Sequence, residues 1–139
     1  MTNPTTEDPR LTRLTEICLA LPGGVRRCLG QHADFRVRNK VFAYYLDNHH
    51  GDGIVAVTCR TARGEHRDWV AWDPAKFYLP AYLGPRGWVA LRIDLGEIDW
   101  TEVTEFVIES YRLIAPRRLA AQVRMPNEGR GATHTEYSA

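Results

Sequence analysis

Apolar and polar residues alternate through residues 32–46, as they do in paired strands with one buried face. Asn39-Lys40 interrupts the alternation, and asparagine readily adopts the positive φ that a two-residue hairpin turn needs. We therefore predict a hairpin with its turn at Asn39-Lys40, in which Val37 pairs with Phe42. The side chains expected on its core face are Phe35, Val37, Phe42, Tyr44 and Leu46.

Further strand patterns follow the hairpin. The β-branched run Ile54–Cys59 predicts a buried strand, and Phe77–Leu79 predicts a short one that ends at Pro80. Alternation in Trp88–Ile93 puts Val89, Leu91 and Ile93 on one face and Trp88, Ala90 and Arg92 on the other. Residues 25–30 fit either a short edge strand or an extended connector.

Helix signals bracket these strands. Asp8-Pro9 is typical of a helix start, and Pro22 ends the apolar period that follows. Residues 61–72 suit a short helix over the sheet. Asp99 and Glu102 form a capping-box pattern at the start of the last helix, which Pro116 ends.

The order of elements predicts an α+β two-layer sandwich in which helices cover one face of an antiparallel sheet, α-β(3)-α-β(2)-α. With 139 residues, of which 44% are hydrophobic and 25% charged, the chain has the size of one domain. We assign that domain to residues 8–124, with a flexible N-terminus at 1–7 and a disordered tail at 125–139.

Charge is segregated although the net charge is only +1. Residues 25–45 hold five cations and one acid, residues 112–124 hold four cations and no acid, and residues 94–109 hold six acids and no cation. The first basic segment predicts a phosphate-binding surface, because several cations there share the solvent face of the hairpin. Its expected members are Arg36, Arg38 and Lys40, joined by Arg86 and by Arg26 and Arg27. The alternative is a charged face that only keeps the sheet from aggregating.

The cysteines, Cys18, Cys28 and Cys59, are odd in number and lack a CxxC spacing, so we expect reduced core residues. The N-terminus has no apolar signal segment, and no run approaches the roughly 20 apolar residues of a membrane span. We therefore expect a cytoplasmic protein with no membrane partner.

The loop at residues 47–53 is a candidate ligand site, because Asp47, His49, His50 and Asp52 carry carboxylates and imidazoles. It would contact an anion or a small molecule rather than a metal, since adjacent histidines in an extended loop point apart. The alternative is that turn geometry alone selects these residue types.

Aromatic residues near Arg86 form another candidate. Tyr82 and Trp88, with Trp69 and Trp72, could stack on a base or a flat ligand. The alternative is that they fill the space between sheet and helices. No GxSxG, Walker or dinucleotide motif is present, so we expect neither catalysis nor a cofactor.

These segments together resemble the MmcQ/YjbR-like family over Leu11–Val123. The resemblance is carried by residues 35–43, 47–53, 80–88 and 109–113. Many relatives have Lys-x-His-Trp where this chain has Pro85-Arg86-Gly87-Trp88, so Trp88 is retained and the imidazole is absent.

The resemblance implies a domain of the secretion-chaperone-like type. Members of the family are commonly described as double-wing DNA-binding proteins, and some carry a formyltransferase label. The expected partner is therefore double-stranded DNA, bound by a monomer or a homodimer. The alternative is a protein-interaction or small-ligand module in which the open sheet face can form a dimer interface.

Overall fold

The computed structural model describes residues 7–48 and 51–126. Its helices are α1 (Pro9–Leu19), α2 (His66–Trp72), α3 (Trp100–Ile114) and α4 (Arg117–Ala120), with a 3₁₀ turn at Gly84–Arg86. Its strands are β1 (Val25–Leu29), β2 (His32–Val37), β3 (Lys40–Asp47), β4 (Val55–Arg60), β5 (Phe77–Tyr78) and β6 (Trp88–Arg92). Of the predicted flexible ends, only Glu7, Met125 and Pro126 fall within the described residues.

The strands form one sheet in the order β1-β2-β3-β4-β6-β5, and every neighbouring pair is antiparallel. The predicted α+β fold is confirmed. The sequence allowed either an edge strand or an extended connector at residues 25–30, and residues 25–29 form an edge strand. The short helix α4 follows Pro116 and was not predicted. No helix in the described part of the chain is both long and apolar enough to cross a membrane.

The hairpin register differs from the predicted one. The turn residues are Arg38 and Asn39, with φ of 50° and 70°, and Val37 pairs with Lys40. A two-residue turn of this kind needs positive φ at both central positions, and Arg38-Asn39 supplies them one residue earlier than expected. The predicted turn at Asn39-Lys40 and the predicted pairing of Val37 with Phe42 were therefore wrong.

A β-bulge in β3 changes which of its side chains reach the core. Phe35 pairs with Ala43 and Arg36 with Val41, so Phe42 is the extra residue of the bulge. Phe42 and Ala43 are both buried, and the alternation then brings Tyr45 into the core. Tyr44 instead contacts Trp88 on the opposite face of the sheet, at 5.5 Å between ring centroids. The prediction of Tyr44 and Leu46 as core residues was therefore wrong.

The helices pack on one face of the sheet, and local caps set where they begin. Asp8 Oδ1 accepts from the Arg10 backbone N–H at 2.9 Å, and Asp99 Oδ1 accepts from the N–H groups of Thr101 and Glu102, each at 3.1 Å. The core between the layers holds Leu14, Cys18, Phe35, Tyr45, Val57, Cys59, Val89, Leu91, Val107 and Tyr111. Burial raises the pKa of the Cys18 and Cys59 thiols. Cys28 is exposed on β1, so its assignment to the core was wrong.

Candidate functional site

Three chain connections meet at one end of the sheet: the turn between β2 and β3, the segment leaving β4, and the 3₁₀ turn entering β6. The registers place them together, because Lys40 begins β3 beside Val37 and Arg60 ends β4 beside Trp88. We call this end the basic end and define it by its exposed cations, Arg38, Lys40, Arg60, Arg63 and Arg86.

Hydrogen bonds hold the basic end in shape. The backbone N–H and the hydroxyl of Thr61 both donate to the Gly87 carbonyl, each at 2.9 Å, which ties the segment after β4 to the start of β6. The buried Ser110 hydroxyl of α3 accepts from the Arg60 N–H at 3.0 Å and donates to the Phe42 carbonyl at 2.6 Å. These hydrogen bonds therefore fix the positions of the backbone segments that carry the cations.

The cations of the basic end have no partner within the described residues. None of the five side chains takes part in an ion pair or a side-chain hydrogen bond there. These five charged groups therefore face solvent.

The opposite end of the sheet pairs its cations with carboxylates, and we call it the paired end. Arg10 bonds Asp8 at 2.7 Å, Arg92 bonds Asp94 at 3.0 Å, and Lys76 bonds Glu102 at 2.8 Å. The hydrogen bonds from Arg10 and Arg92 lower the pKa of Asp8 and Asp94, and the hydrogen bond to Glu102 raises the pKa of Lys76. Of the predicted capping box, the bond from Glu102 N–H to Asp99 Oδ1 is formed, while the Glu102 carboxylate accepts from Lys76 Nζ.

The predicted basic face of the hairpin is divided between free and paired cations. Arg36 bonds the buried Asp34 carboxylate at 3.0 and 3.3 Å, and Arg27 bonds it at 3.2 Å. Arg26 reaches across to α1, where it bonds Glu7 at 2.7 Å. Of the predicted nucleic-acid residues, Arg38, Lys40 and Arg86 therefore lie unpaired at the basic end, and Arg36 is held by Asp34.

The predicted ligand loop lies at the paired end, where β3 finishes. Its described residues use their side chains for turn geometry, since Asn48 Oδ1 accepts from Gly53 N–H at 2.7 Å and Asp52 Oδ1 from Ile54 N–H at 2.9 Å. The carbonyl of Asp47 accepts from the Gln31 side chain at 2.7 Å. His49 and His50 lie outside the described residues.

The predicted aromatic group is split between the two faces of the sheet. Trp88 is only 9% exposed and packs on Tyr44, on the face away from the helices. Trp69 instead contacts Phe77 and Phe106 in the helix layer. Tyr82 is 80% exposed, with φ of 68°.

Arg60 and Arg63 are members of the basic end that the sequence analysis missed. A signal was available, because residues 53–64 contain both arginines and no acid. Their nearness to Arg86 has no counterpart in the sequence, since it depends on β4 lying beside β6.

Comparisons with known proteins agree with this fold. The family model for YjbR matches residues 19–113. The crystal structure of Deinococcus radiodurans protein DR2400, which carries a domain of the DUF419 family model, aligns with a TM-score of 0.61 at 16% identity and covers 78% of this chain and 82% of that chain. At that identity the likeness shows the fold alone. No curated protein matches the chain.

Proposed function

Because the chain belongs to the YjbR family, we propose that it is a non-catalytic binding protein whose basic end contacts the phosphate backbone of double-stranded DNA. The observation that carries this proposal is the set of five unpaired, exposed cations on three adjacent connections. A backbone contact needs several cations on one surface and no particular base readout. The DNA-binding description given to members of the family supports the same partner.

The shape of the basic end fits a backbone contact. Arg38 and Lys40 flank the tip of a hairpin, where they can approach a phosphate without moving the core. Arg60, Arg63 and Arg86 extend the same surface across β4 and β6. We leave Arg36 out of the contact, because Asp34 already occupies its guanidinium.

A role without catalysis is supported by the surroundings of one hydroxyl and two thiols, those of Ser110, Cys18 and Cys59. The Ser110 hydroxyl spans two backbone groups, and burial raises the pKa of the Cys18 and Cys59 thiols, which disfavours the reactive thiolate.

A salt titration with hydroxyl-ended duplex DNA tests the proposal. We expect the wild-type affinity, measured by fluorescence anisotropy, to fall steeply as salt rises. The double variant Arg38→Gln/Lys40→Gln should bind more weakly and should lower the slope of log K against log salt by about 2, roughly one for each lost phosphate contact.

The matched control is Arg13→Gln/Arg124→Gln, which also removes two exposed cations but lies outside the basic end. Its salt slope should stay close to wild type. A wild-type protein that does not bind duplex at low salt would overturn the proposal and favour the protein-interaction or small-ligand alternative. An equal loss in both double variants would show that the basic end has no special part in binding.

A further inference from the structure

A cleft of about 540 Å³ opens at the basic end, between the segment after β4 and the 3₁₀ turn before β6. The guanidinium-bearing side chains of Arg60, Arg63 and Arg86 line it, together with His66 at the start of α2. No acidic residue is among the described residues that line this cleft. It is therefore a more enclosed part of the surface on which the proposed DNA contact depends.

Three like charges around one cleft repel one another unless an anion joins them. The Thr61–Gly87 hydrogen bonds hold the two walls together, so backbone separation does not relieve that repulsion. The three side chains have no carboxylate partner among the described residues. A bound anion would supply the missing counter-charge, and guanidinium groups match the oxygens of phosphate in geometry.

His66 adds a second, independent observation. Its Nδ1 atom is shut off from solvent and has no hydrogen-bond partner in the described part of the chain. Buried polar atoms in proteins are nearly always satisfied, so this unpartnered Nδ1 atom distinguishes His66 from the other side chains that line the cleft.

A neighbouring cleft shows that the charge is sorted rather than random. Its described lining consists of Glu65, Asp68, Glu109, Trp69 and Trp72, and includes no cation. Within the segment 63–68, Arg63 and His66 line one cleft, and Glu65 and Asp68 line the other.

We infer that the cleft of Arg60, Arg63, His66 and Arg86 is a binding site for a phosphate monoester, the dianionic phosphate of a mononucleotide or of a nucleic-acid end. Three unpaired guanidinium groups provide more charge than a single diester needs, and a dianion uses it better. The volume leaves room for the group esterified to the phosphate. The inference deepens the proposed function and rests on the same basic end.

Calorimetric titration of the full chain tests the site with three probes: inorganic phosphate, adenosine 5′-monophosphate and adenosine. We expect saturable binding of the first two and none of adenosine. Absence of binding by phosphate and by the monophosphate at millimolar concentration would overturn the inference. Equal binding of adenosine and its monophosphate would overturn it as well, because the phosphate would then contribute nothing.

The variant Arg63→Gln/Arg86→Gln should weaken binding of the monophosphate at least about tenfold, since it removes two charge-assisted hydrogen bonds. The matched control Arg117→Gln/Arg118→Gln removes two exposed arginines of α4 that do not line the cleft, and it should change the affinity less than about twofold. Equal losses in the two variants would overturn the site in favour of general electrostatic attraction. Both pairs are exposed, so thermal melts should show all three proteins folded.

Duplexes with 5′-phosphate or 5′-hydroxyl ends separate the two sources of the phosphate. If the wild type binds the phosphorylated duplex more tightly than the hydroxyl-ended one, and Arg63→Gln/Arg86→Gln binds the two equally, the result would support a nucleic-acid end as the source. Equal binding of the two duplexes, with the monophosphate still bound, would support a free monoester. The hydroxyl-ended duplex alone tests the proposed DNA contact, so failure of that contact and failure of this site give different results.

Discussion

The two ends of the sheet differ in whether their cations are paired with carboxylates. At the paired end, Arg10, Lys76 and Arg92 each bond a carboxylate at 3.0 Å or less. At the basic end, the five defining cations are exposed and have no such partner within the described residues. The strands β3 and β6 run from one end to the other, so the same strands carry both arrangements.

Because of this difference, net charge is a poor guide to the surface charge that a partner of this chain would meet. A net charge of +1 argues against a polyanion partner if it is read as an average. The structure separates the charge instead, because carboxylates neutralise the cations of one end and not those of the other. A partner approaching the basic end meets a local positive field that the whole-chain value hides.

The largest effect should come from Asp34, which lies on β2 between the two ends. Its buried carboxylate accepts from both Arg27 and Arg36, so Asp34→Asn would leave two guanidinium groups without their counter-charge. We expect a loss of about 2 kcal/mol in the free energy of unfolding. Urea denaturation measures it, with Asp94→Asn as the control at a more exposed pair. A smaller loss for Asp34→Asn than for Asp94→Asn would contradict the role given to Asp34.

A smaller effect should separate a paired arginine from an unpaired one. Arg92→Gln removes a partly exposed ion pair and should cost up to about 1 kcal/mol of stability. Arg63→Gln removes a cation without a partner and should change stability by less than about 0.5 kcal/mol. Thermal melts at low and high salt measure the two stability costs. Added salt should reduce the difference between them, because it screens the ion pair of Arg92. An equal or larger cost in stability for Arg63→Gln would contradict the assignment of Arg92 as paired and Arg63 as unpaired.

The smallest effect concerns Glu109, in the acidic cleft beside the basic end. Burial raises the pKa of Glu109 above its ordinary 4.5, and Glu65 and Glu105 raise it further, while Arg112 lowers it. The cations of the basic end are not among these charges. Between the ordinary and the raised pKa, the folded protein binds more protons than the unfolded chain, so its stability falls as pH rises through that window.

Replacing Glu109 with glutamine therefore tests whether the two clefts are electrostatically separate. Glu109→Gln should be more stable than wild type at neutral pH, by less than about 1 kcal/mol because the side chain is only partly removed from solvent. The gain should disappear as pH falls below the ordinary carboxyl pKa. Urea denaturation of both proteins at several pH values measures this gain in stability. A loss of stability at neutral pH would mean that nearby cations already neutralise this carboxylate.

Elements with local signals were predictable from the sequence. Asp8-Pro9 and Asp99 mark the starts of α1 and α3 because a cap acts within a few residues of itself. The faces of β6 follow from alternation, and Val89, Leu91 and Ile93 do lie in the core. Pairing of Arg36 with Asp34 also had a local signal, since residues two apart on a strand share a face.

The hairpin register and the edge strand were not predictable in the same way. A one-residue shift of the turn and one bulge compensate each other, so Phe35, Val37 and Phe42 stay buried under both registers. The hydrophobic pattern therefore could not distinguish the predicted register from the observed one. Residues 25–29 are mostly exposed, and their strand is defined by pairing with β2 rather than by an apolar face.

The linear order of residues was sufficient for the helix boundaries, the alternation of the central strands and the exposed cations at the hairpin tip, because each depends on neighbours in the chain. The basic end exists only in the folded molecule. Arg60 and Arg63 meet Arg86 because β4 lies beside β6, although more than twenty residues, including α2 and β5, separate them. Which cations stay free is also decided there, since a carboxylate neutralises only the charges that folding brings within its reach.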